Sequence, residues 1–158
     1  MLAKALQSEL PEPFWHMSSD QFIAADMLPT RRESAGPFSW EQIRPRFFAG
    51  FHRCLAAIAE AGNNLIIDHV VEFEEWAALM ADLLAPYDVF LVGVHCPAEE
   101  LAIRERERGD RYLGEGLEHL LEGVHEHVIY DFEIDTSRHS PTEAARLVVS
   151  AWARRERA

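Results

Sequence analysis

The sequence has few cysteines, almost no lysine and no long apolar segment. Its two cysteines, Cys54 and Cys96, lie far apart and belong to no paired Cys motif, so neither a disulfide framework nor a zinc ribbon is indicated. No run approaches the ~20 apolar residues that a membrane span needs, and the N-terminus lacks the charged-then-apolar layout of a signal peptide. These absences predict a protein of the reducing cytoplasm with no membrane partner.

Positive charge is also scarce. The 15 Lys and Arg residues face 27 Asp and Glu residues, which gives a formal net charge of -12. Because this field repels polyanions, nucleic acid is not an expected partner. A ligand that carries phosphates would need a local basic cluster. Lys4 is the single lysine, and the strongest cluster of arginines lies between Arg104 and Arg111.

The pattern of apolar residues predicts one α/β domain that spans residues 1–158. Four short apolar segments predict strands, at 14–17, 65–67, 89–94 and 132–136. Segments with apolar residues at helical spacing lie between them and at both ends, and the clearest is the last helix, opened by Ser140-Pro141-Thr142-Glu143. Ser39 with Gln42 opens a further helical turn, and Pro45 is expected in the first turn of a longer helix. This alternation predicts a parallel sheet flanked by helices on both faces.

Carboxylates follow two of the predicted strands. Leu65-Ile66-Ile67 is a continuous apolar run, typical of a strand buried on both faces, and it ends in Asp68. Asp20 follows the strand at 14–17, beside a short helix that Ser18 or Ser19 can cap. Open α/β sheets bind their ligands at the carboxyl ends of strands, so both carboxylates are candidate site residues. For Asp68 alone, a polar cap of the strand is an equally good interpretation.

The arginines offer candidate phosphate-binding groups. Arg108 and Arg111 flank Gly109, which favours a moving clamp, and a guanidinium stays charged and can bond two phosphate oxygens at once. Arg104 and Arg106 alternate with glutamates, and we expect them to be solvated on a helix end.

Other polar residues are weaker candidates. Arg31 and Arg32 lie in the polar loop at 28–38, where they either bind a substrate or are simply solvated. His69 and His95 follow strands and could face the site, but lone histidines are more often structural. A metal pair of His125 and His127 is not expected, because a spacing of two places them on different faces of a helix.

Together these motifs resemble the chloramphenicol phosphotransferase family, a branch of the P-loop kinases, over most of the chain. The motifs that carry the resemblance are, in order, Leu6-Gln7-Ser8, Leu10-Pro11-Glu12-Pro13, Ser19-Asp20, Leu65-Ile66-Ile67-Asp68, Arg104-Glu105, Arg108-Gly109-Asp110-Arg111 and Glu133-Ile134-Asp135-Thr136. The resemblance implies a P-loop-kinase-like fold with a lid at roughly residues 104–124. It also implies ATP and Mg²⁺ as cofactors, and transfer of a phosphoryl group to a hydroxyl of a small molecule.

The resemblance assigns roles to particular residues. Asp20 would be the catalytic base, and Asp68 would lie near magnesium. Arg108 and Arg111 would bind the ATP phosphates, and the loop that holds Arg31 and Arg32 is where acceptor recognition is expected.

The sequence departs from that family at its start. The family begins with a strand and a Gly-rich loop ending in Gly-Lys-Ser or Gly-Lys-Thr, whose N–H groups and lysine hold the β- and γ-phosphates. Residues 1–158 contain no such loop, and no glycine precedes Lys4. Because the family's first strand is central, its loss would leave two inner edges unpaired, so we expect the natural chain to start further upstream. The alternative is a non-catalytic or truncated remnant that binds a small molecule or partner without turnover.

Overall fold

A computed structural model describes residues 1–28, 39–108, 114–121, 123–126 and 128–155. Strands and helices alternate along the chain, as the apolar pattern predicts. The strands are β1 (Phe14–Ser18), β2 (Asn64–Asp68), β3 (Val92–His95) and β4 (Phe132–Asp135). The helices are α1 (Leu2–Glu9), α2 (Ser19–Ala24), α3 (Trp40–Glu60), α4 (Glu74–Leu84), α5 (Ala98–Arg108), α6 (Glu115–Leu121) and α7 (Pro141–Arg154). None of the helices in these ranges is long and apolar enough to cross a membrane.

The strands within the described ranges form two parallel pairs. β1 pairs with β2 from Phe14 opposite Asn64 to Ser18 opposite Asp68. β3 pairs with β4 from Val92 opposite Phe132 to His95 opposite Asp135. The expected parallel pairing is confirmed. Within the described ranges the strands thus form two separate two-stranded sheets.

One face of the β1–β2 pair packs against α3. Met17, Leu65 and Ile67 lie on this face, because alternate residues of a strand share a face and the register aligns Met17 with Ile67. They pack against the buried cluster of the fold, which consists of Phe48, Phe51 and Leu55 from α3.

The opposite face packs against α1 and α7. The ring of Phe14 meets Trp152 of α7 edge-on, with 6.1 Å between ring centroids. α1 packs along α7 and also contacts β1 and β2, while α7 contacts β4. Helices therefore cover both faces, as predicted, and α1 with α7 connects the two strand pairs.

The local signals at the helix starts explain most boundaries. Ser140 caps α7 as predicted: its Oγ accepts from the N–H of Glu143 at 3.3 Å, and Glu143 Oε2 accepts from the N–H of Ser140 at 2.9 Å. Ser39 and Gln42 open α3, since Gln42 Oε1 accepts from the N–H of Ser39 at 3.3 Å. The prediction that a separate, longer helix starts near Pro45 is wrong. Pro45 lies inside one continuous helix. The helix can continue through this proline because the missing N–H removes only one hydrogen bond, the one to the carbonyl four residues earlier.

Two strand predictions also need correction. β3 begins at Val92 rather than Val89, because its partner β4 begins at Phe132, opposite Val92. Leu91 instead donates its N–H to Asp131 Oδ2 at 2.7 Å, outside the ladder. The residues Leu65 to Ile67 of β2 are half-buried rather than buried on both faces, because β2 has a partner strand on one side only within the described residues.

Candidate active site

Asp20 lies where β1 passes into α2. Ser18 ends the strand and caps the helix: its Oγ accepts from the N–H of Asp20 at 3.3 Å, and its own N–H donates to Gln21 Oε1 at 3.2 Å. This capping box fixes the turn between strand and helix, because it satisfies backbone groups that would otherwise lack partners. Asp20 is therefore held in the first turn of α2, exposed at the carboxyl end of β1.

Asp68 lies at the same edge of the sheet. β1 and β2 are parallel, and their last residues, Ser18 and Asp68, are paired. Asp20 follows Ser18 by two residues, so the two predicted carboxylates come to one edge, where ligands of α/β sheets bind. The structure thus places Asp20 and Asp68 at the same edge of the strand pair. Their roles as catalytic base and magnesium ligand stay predictions.

His16 is a third polar residue at this edge, and the sequence reasoning missed it. Its Nε2 lies 3.3 Å from Asp68 Oδ2, and its Nδ1 lies 3.2 Å from Gln21 Nε2. Within the sequence His16 stands in an apolar segment, Phe14 to Met17, which alone predicts only a strand. The available signal was alternation: His16 and Ser18 share a face of β1, and Ser18 was already a predicted cap.

The carboxylate of Asp68 is suitable for magnesium. Magnesium is usually bound by one or two carboxylates, with water and substrate phosphates as its other ligands. The side chain of Asp68 is 60% exposed, and His16 contacts only its Oδ2. In the part of the chain that the structure describes, no group of three or more His, Cys, Asp or Glu side chains is arranged to hold a metal ion. A magnesium ion at Asp68 would therefore take most of its ligands from phosphates and water.

A buried histidine pair follows Asp68 in the chain. His69 Nε2 lies 3.0 Å from Nε2 of His52, which is 1% exposed, and the indole ring of Trp76 stacks on His69. Burial, and secondarily the neighbouring His52, lowers the pKa of His69 to about 4. Burial, and secondarily Arg53, lowers the pKa of His52. The expectation that His69 is structural fits these contacts, which tie β2 to α3 and α4.

A second group of polar side chains lies on one face of the β3–β4 pair. His95 Nε2 is 2.7 Å from Glu133 Oε2, and the rings of His95 and His125 lie 4.3 Å apart. His125 Nδ1 is 2.8 Å from the hydroxyl oxygen of Tyr130. Burial, and then the neighbouring His95, lowers the pKa of His125. The other residue of the discounted metal pair, His127, lies outside the described residues.

The prediction for Arg104 is wrong. Rather than being solvated, its guanidinium donates to Thr136 Oγ1 at 3.0 Å and to the Thr136 carbonyl at 2.9 Å. It thereby connects α5 to the end of β4. Arg106 is exposed, as expected, and donates to the carbonyl of Ala102 at 3.1 Å.

The predicted lid at 104–124 contains a buried carboxylate that the charge pattern did not reveal. Glu105 is 4% exposed, and its two oxygens accept from the N–H groups of Gly114 at 2.9 Å and Gly116 at 2.7 Å. It therefore binds the start of α6, where backbone N–H groups lack helical partners. At the other side of α6, His119 Nε2 lies 3.9 Å from Glu72 Oε1, which places this helix beside the loop after β2.

The remaining predicted site residues fall outside what the structure describes. Arg31 and Arg32 lie in the segment 29–38, and Arg111 and the Gly109 hinge lie in the segment 109–113. Arg108 is the last residue of α5, and its side chain lies outside the described part of the chain. Their proposed contacts with substrate and phosphates stay predictions.

Solved structures with a similar fold define the class of this protein. The structure of the tunicamycin resistance protein of Deinococcus radiodurans matches with a TM-score of 0.64 and 16% identity, over 96% of this chain and 89% of that one. A sugar kinase from Janibacter sp. HTCC2649 matches with a TM-score of 0.62 and 18% identity, over 96% and 86% of the two chains. At these identities the likeness concerns the fold alone, and it places the chain among α/β proteins of kinase fold.

The sequence itself identifies the family. Residues 1–153 match the profile of the chloramphenicol phosphotransferase-like proteins, and the chain belongs to this family. Two proteins of Mycobacterium tuberculosis, from strains CDC 1551 / Oshkosh and ATCC 25618 / H37Rv, carry the provisional name O-phosphotransferase and are each 38% identical over 130 residues. The match covers 80% of this chain and 54% of each relative, so the chain spans about half the length of these relatives.

Proposed function

We propose that this chain is part of an ATP-dependent phosphotransferase that acts on a hydroxyl of a small molecule. In this proposal the chain provides most of the fold and the residues that meet the acceptor. The observation that carries the proposal is the convergence of Asp20 and Asp68 at one edge of the β1–β2 pair, fixed by the pairing of Ser18 with Asp68. Phosphoryl transfer depends mainly on positioning and on neutralising charge, and these tasks need carboxylates of this kind together with arginine side chains that bind the phosphates. Membership of the chloramphenicol phosphotransferase-like family supports the same reaction class.

In the proposed reaction the acceptor hydroxyl attacks the γ-phosphorus of ATP. The new bond joins the acceptor oxygen to phosphorus, the bond between phosphorus and the ADP oxygen breaks, and Asp20 takes the hydroxyl proton. Magnesium, held at Asp68 and by the phosphates, would neutralise charge on the transferred group. Arg108 and Arg111 would bind the phosphates, and Arg31 and Arg32 would contact the acceptor.

We also propose that a segment outside residues 1–158 supplies the phosphate-binding loop. The separation of the described strands into two parallel pairs supports this, because one further parallel strand between the pairs would join them into a single sheet. A chain that includes such a segment should bind magnesium ATP and gain thermal stability from it, since a ligand that binds only the folded state stabilises it. Residues 1–158 alone should show a much smaller shift. Equal shifts for the two chains would contradict this part of the proposal.

The activity is tested with the full-length protein, magnesium ATP and a panel of hydroxylated small molecules that includes chloramphenicol. Phosphorylated product is measured by mass spectrometry. Replacing Asp20 with Asn should leave the fold intact and lower the rate by about a hundredfold to ten-thousandfold, the usual contribution of a general base.

The matched control for this substitution is Asp26→Asn. Asp26 lies just beyond the other end of α2 and has a φ of 54°, a conformation that Asn also tolerates, so the change removes one charge without straining the backbone. This variant should keep the wild-type rate. An Asp20→Asn protein that is as active as wild type would remove Asp20 from the mechanism. A wild-type protein that phosphorylates no acceptor and binds no magnesium ATP would remove the proposed function.

A further inference from the structure

The imidazole of His16 connects the two elements that carry the candidate carboxylates. His16 lies on the same face of the β1–β2 pair as Ser18 and Asp68, because alternate residues share a face and Ser18 is paired with Asp68. Its Nε2 is 3.3 Å from Asp68 Oδ2, and its Nδ1 is 3.2 Å from Gln21 Nε2. One ring nitrogen thus contacts the end of β2, and the other contacts the first turn of α2.

The hydrogen bonds through His16 run in one direction, and the capping box of α2 sets that direction. The N–H of Ser18 can only donate, so Gln21 Oε1 accepts at 3.2 Å. The NH₂ group of Gln21 therefore faces His16 and donates to Nδ1, which must be the unprotonated nitrogen. The ring proton is then on Nε2, where it points at Asp68 Oδ2. The start of α2 thereby selects the tautomer that donates to Asp68.

The two partners differ in exposure. The side chain of His16 is 14% exposed, whereas that of Asp68 is 60% exposed. The imidazole is therefore held by the protein, while the carboxylate extends into solvent and would otherwise rotate. His16 contacts Oδ2 of this carboxylate, so Oδ1 is the oxygen that remains for a second partner.

We propose that His16 is a positioning residue, which holds Asp68 by Oδ2 so that Oδ1 meets the magnesium ion of bound magnesium nucleotide. This inference rests on the proposed function, in which Asp68 lies at magnesium. Groups that orient a metal-binding side chain from behind typically contribute roughly tenfold to a hundredfold to metal affinity. His16 does not touch the reacting atoms, so its loss should weaken magnesium binding and leave the KM for the acceptor unchanged.

Three substitutions separate positioning from mere packing. His16→Phe keeps a ring of similar size and removes the donor to Asp68. His16→Gln restores an NH₂ donor that can reach the position of Nε2, so it should rescue. Gln21→Glu keeps the capping box, which accepts Glu as well as Gln, but turns a carboxylate oxygen toward Nδ1 of His16. The matched control is His95→Phe, which removes the similar histidine–carboxylate pair with Glu133 on the other two strands.

Magnesium affinity is measured by isothermal titration calorimetry, with magnesium chloride added to the full-length protein in the presence of ADP, so that no turnover occurs. The His16→Phe protein should bind magnesium roughly tenfold or more weakly than wild type. The His16→Gln protein should recover most of this loss, and the His95→Phe protein should match wild type.

The tautomer is measured separately, by ¹⁵N-resolved NMR of the imidazole groups at pH 8 without nucleotide. The signals of His16 are identified by their absence in the His16→Gln protein. Wild type should carry the proton on Nε2, in slow exchange with solvent. In the Gln21→Glu protein Nδ1 should become protonated, because a carboxylate oxygen can only accept. Asp68→Ala should abolish the slow exchange.

The outcomes distinguish this inference from the proposed function. If wild type binds magnesium ADP and a folded His16→Phe protein binds it equally well, the role of His16 is overturned and the proposed function stands. A His16 tautomer that is the same in wild type and in Gln21→Glu would overturn this role too, even where His16→Phe does not fold. Wild type that binds no magnesium ADP would overturn the proposed function and this inference together.

Discussion

The buried pair of His52 and His69 should make the stability of the fold depend on pH. The two Nε2 atoms lie 3.0 Å apart, so one must donate and the other accept, and a proton on both would set two N–H groups against each other. His52 is 1% exposed, and its Nδ1 has no hydrogen-bond partner within the described residues, so its charged form would also be poorly solvated. The folded state therefore favours the neutral pair.

The sign and size of the effect follow from the pKa of His69, which burial, and secondarily the neighbouring His52, lowers from 6.5 to about 4. Between these values the unfolded chain binds more protons than the folded chain, so the free energy of unfolding falls as pH drops below about 6.5. The loss is complete about one pH unit below the folded pKa of about 4. At about 1.4 kcal/mol per pKa unit, the difference between 6.5 and about 4 amounts to about 3.5 kcal/mol from His69, of which about 3 kcal/mol is lost by pH 4. The lowered pKa of His52 acts in the same direction.

The assay is urea unfolding between pH 7.5 and 4, with wild type compared with His69→Phe. Phe keeps an aromatic ring beside Trp76 but cannot be protonated, so the variant should lose about 3 kcal/mol less than wild type over this range. At pH 7.5 it should be less stable by about 1 kcal/mol, because it lacks the hydrogen bond to His52. His139→Gln, a change just before α7 and away from the pair, should keep the wild-type slope. Parallel curves for wild type and His69→Phe would refute the reasoning.

Three further substitutions test the packing of the fold. Gly93→Ala should cost about 1–3 kcal/mol in urea unfolding, since the new Cβ would lie 2.6 Å from Cδ2 of Tyr130; in a Tyr130→Ala background the cost should vanish. Leu55→Ala, at the centre of the core and 0% exposed, should cost about 2–5 kcal/mol in the same measurement, and a loss below about 1 kcal/mol would contradict its place in the core. Glu105→Gln should speed hydrogen exchange at the start of α6, because an amide offers one accepting oxygen where Gly114 and Gly116 now use two; unchanged exchange would argue against this contact.

Features encoded by neighbouring residues were predictable from the sequence. The start of α7 needs only Ser140, Pro141 and Glu143, which act within one helical turn, and the structure has the expected cap. Asp20 and Asp68 could be placed at strand ends for the same reason, since an apolar run that stops at a carboxylate is a local signal. Parallel strands with helical crossovers then bring those ends to one edge.

Features that depend on a distant partner could not be predicted in this way. Arg104 and Glu105 look like alternating surface charges, but one binds Thr136 and the other binds the N–H groups of Gly114 and Gly116. Charge alternation describes the helix of which these residues are part. It contains no information about the elements that pack against that helix. The start of β3 is similar, because only the position of β4 determines which residues of the apolar run 89–94 are paired.

The contact between His16 and Asp68 shows how strongly such features depend on strand register. The two residues are 52 positions apart, and they meet because β1 and β2 pair Ser18 with Asp68. A slip of one residue would turn every side chain of β1 to the other face, which would move His16 into the layer beneath α3 and Met17 toward the carboxylate. The apolar residues Met17, Leu65 and Ile67 prevent this slip, because each of them packs against the core of α3. The same packing that stabilises the fold thus sets the geometry of the candidate active site, although none of these three side chains reaches it.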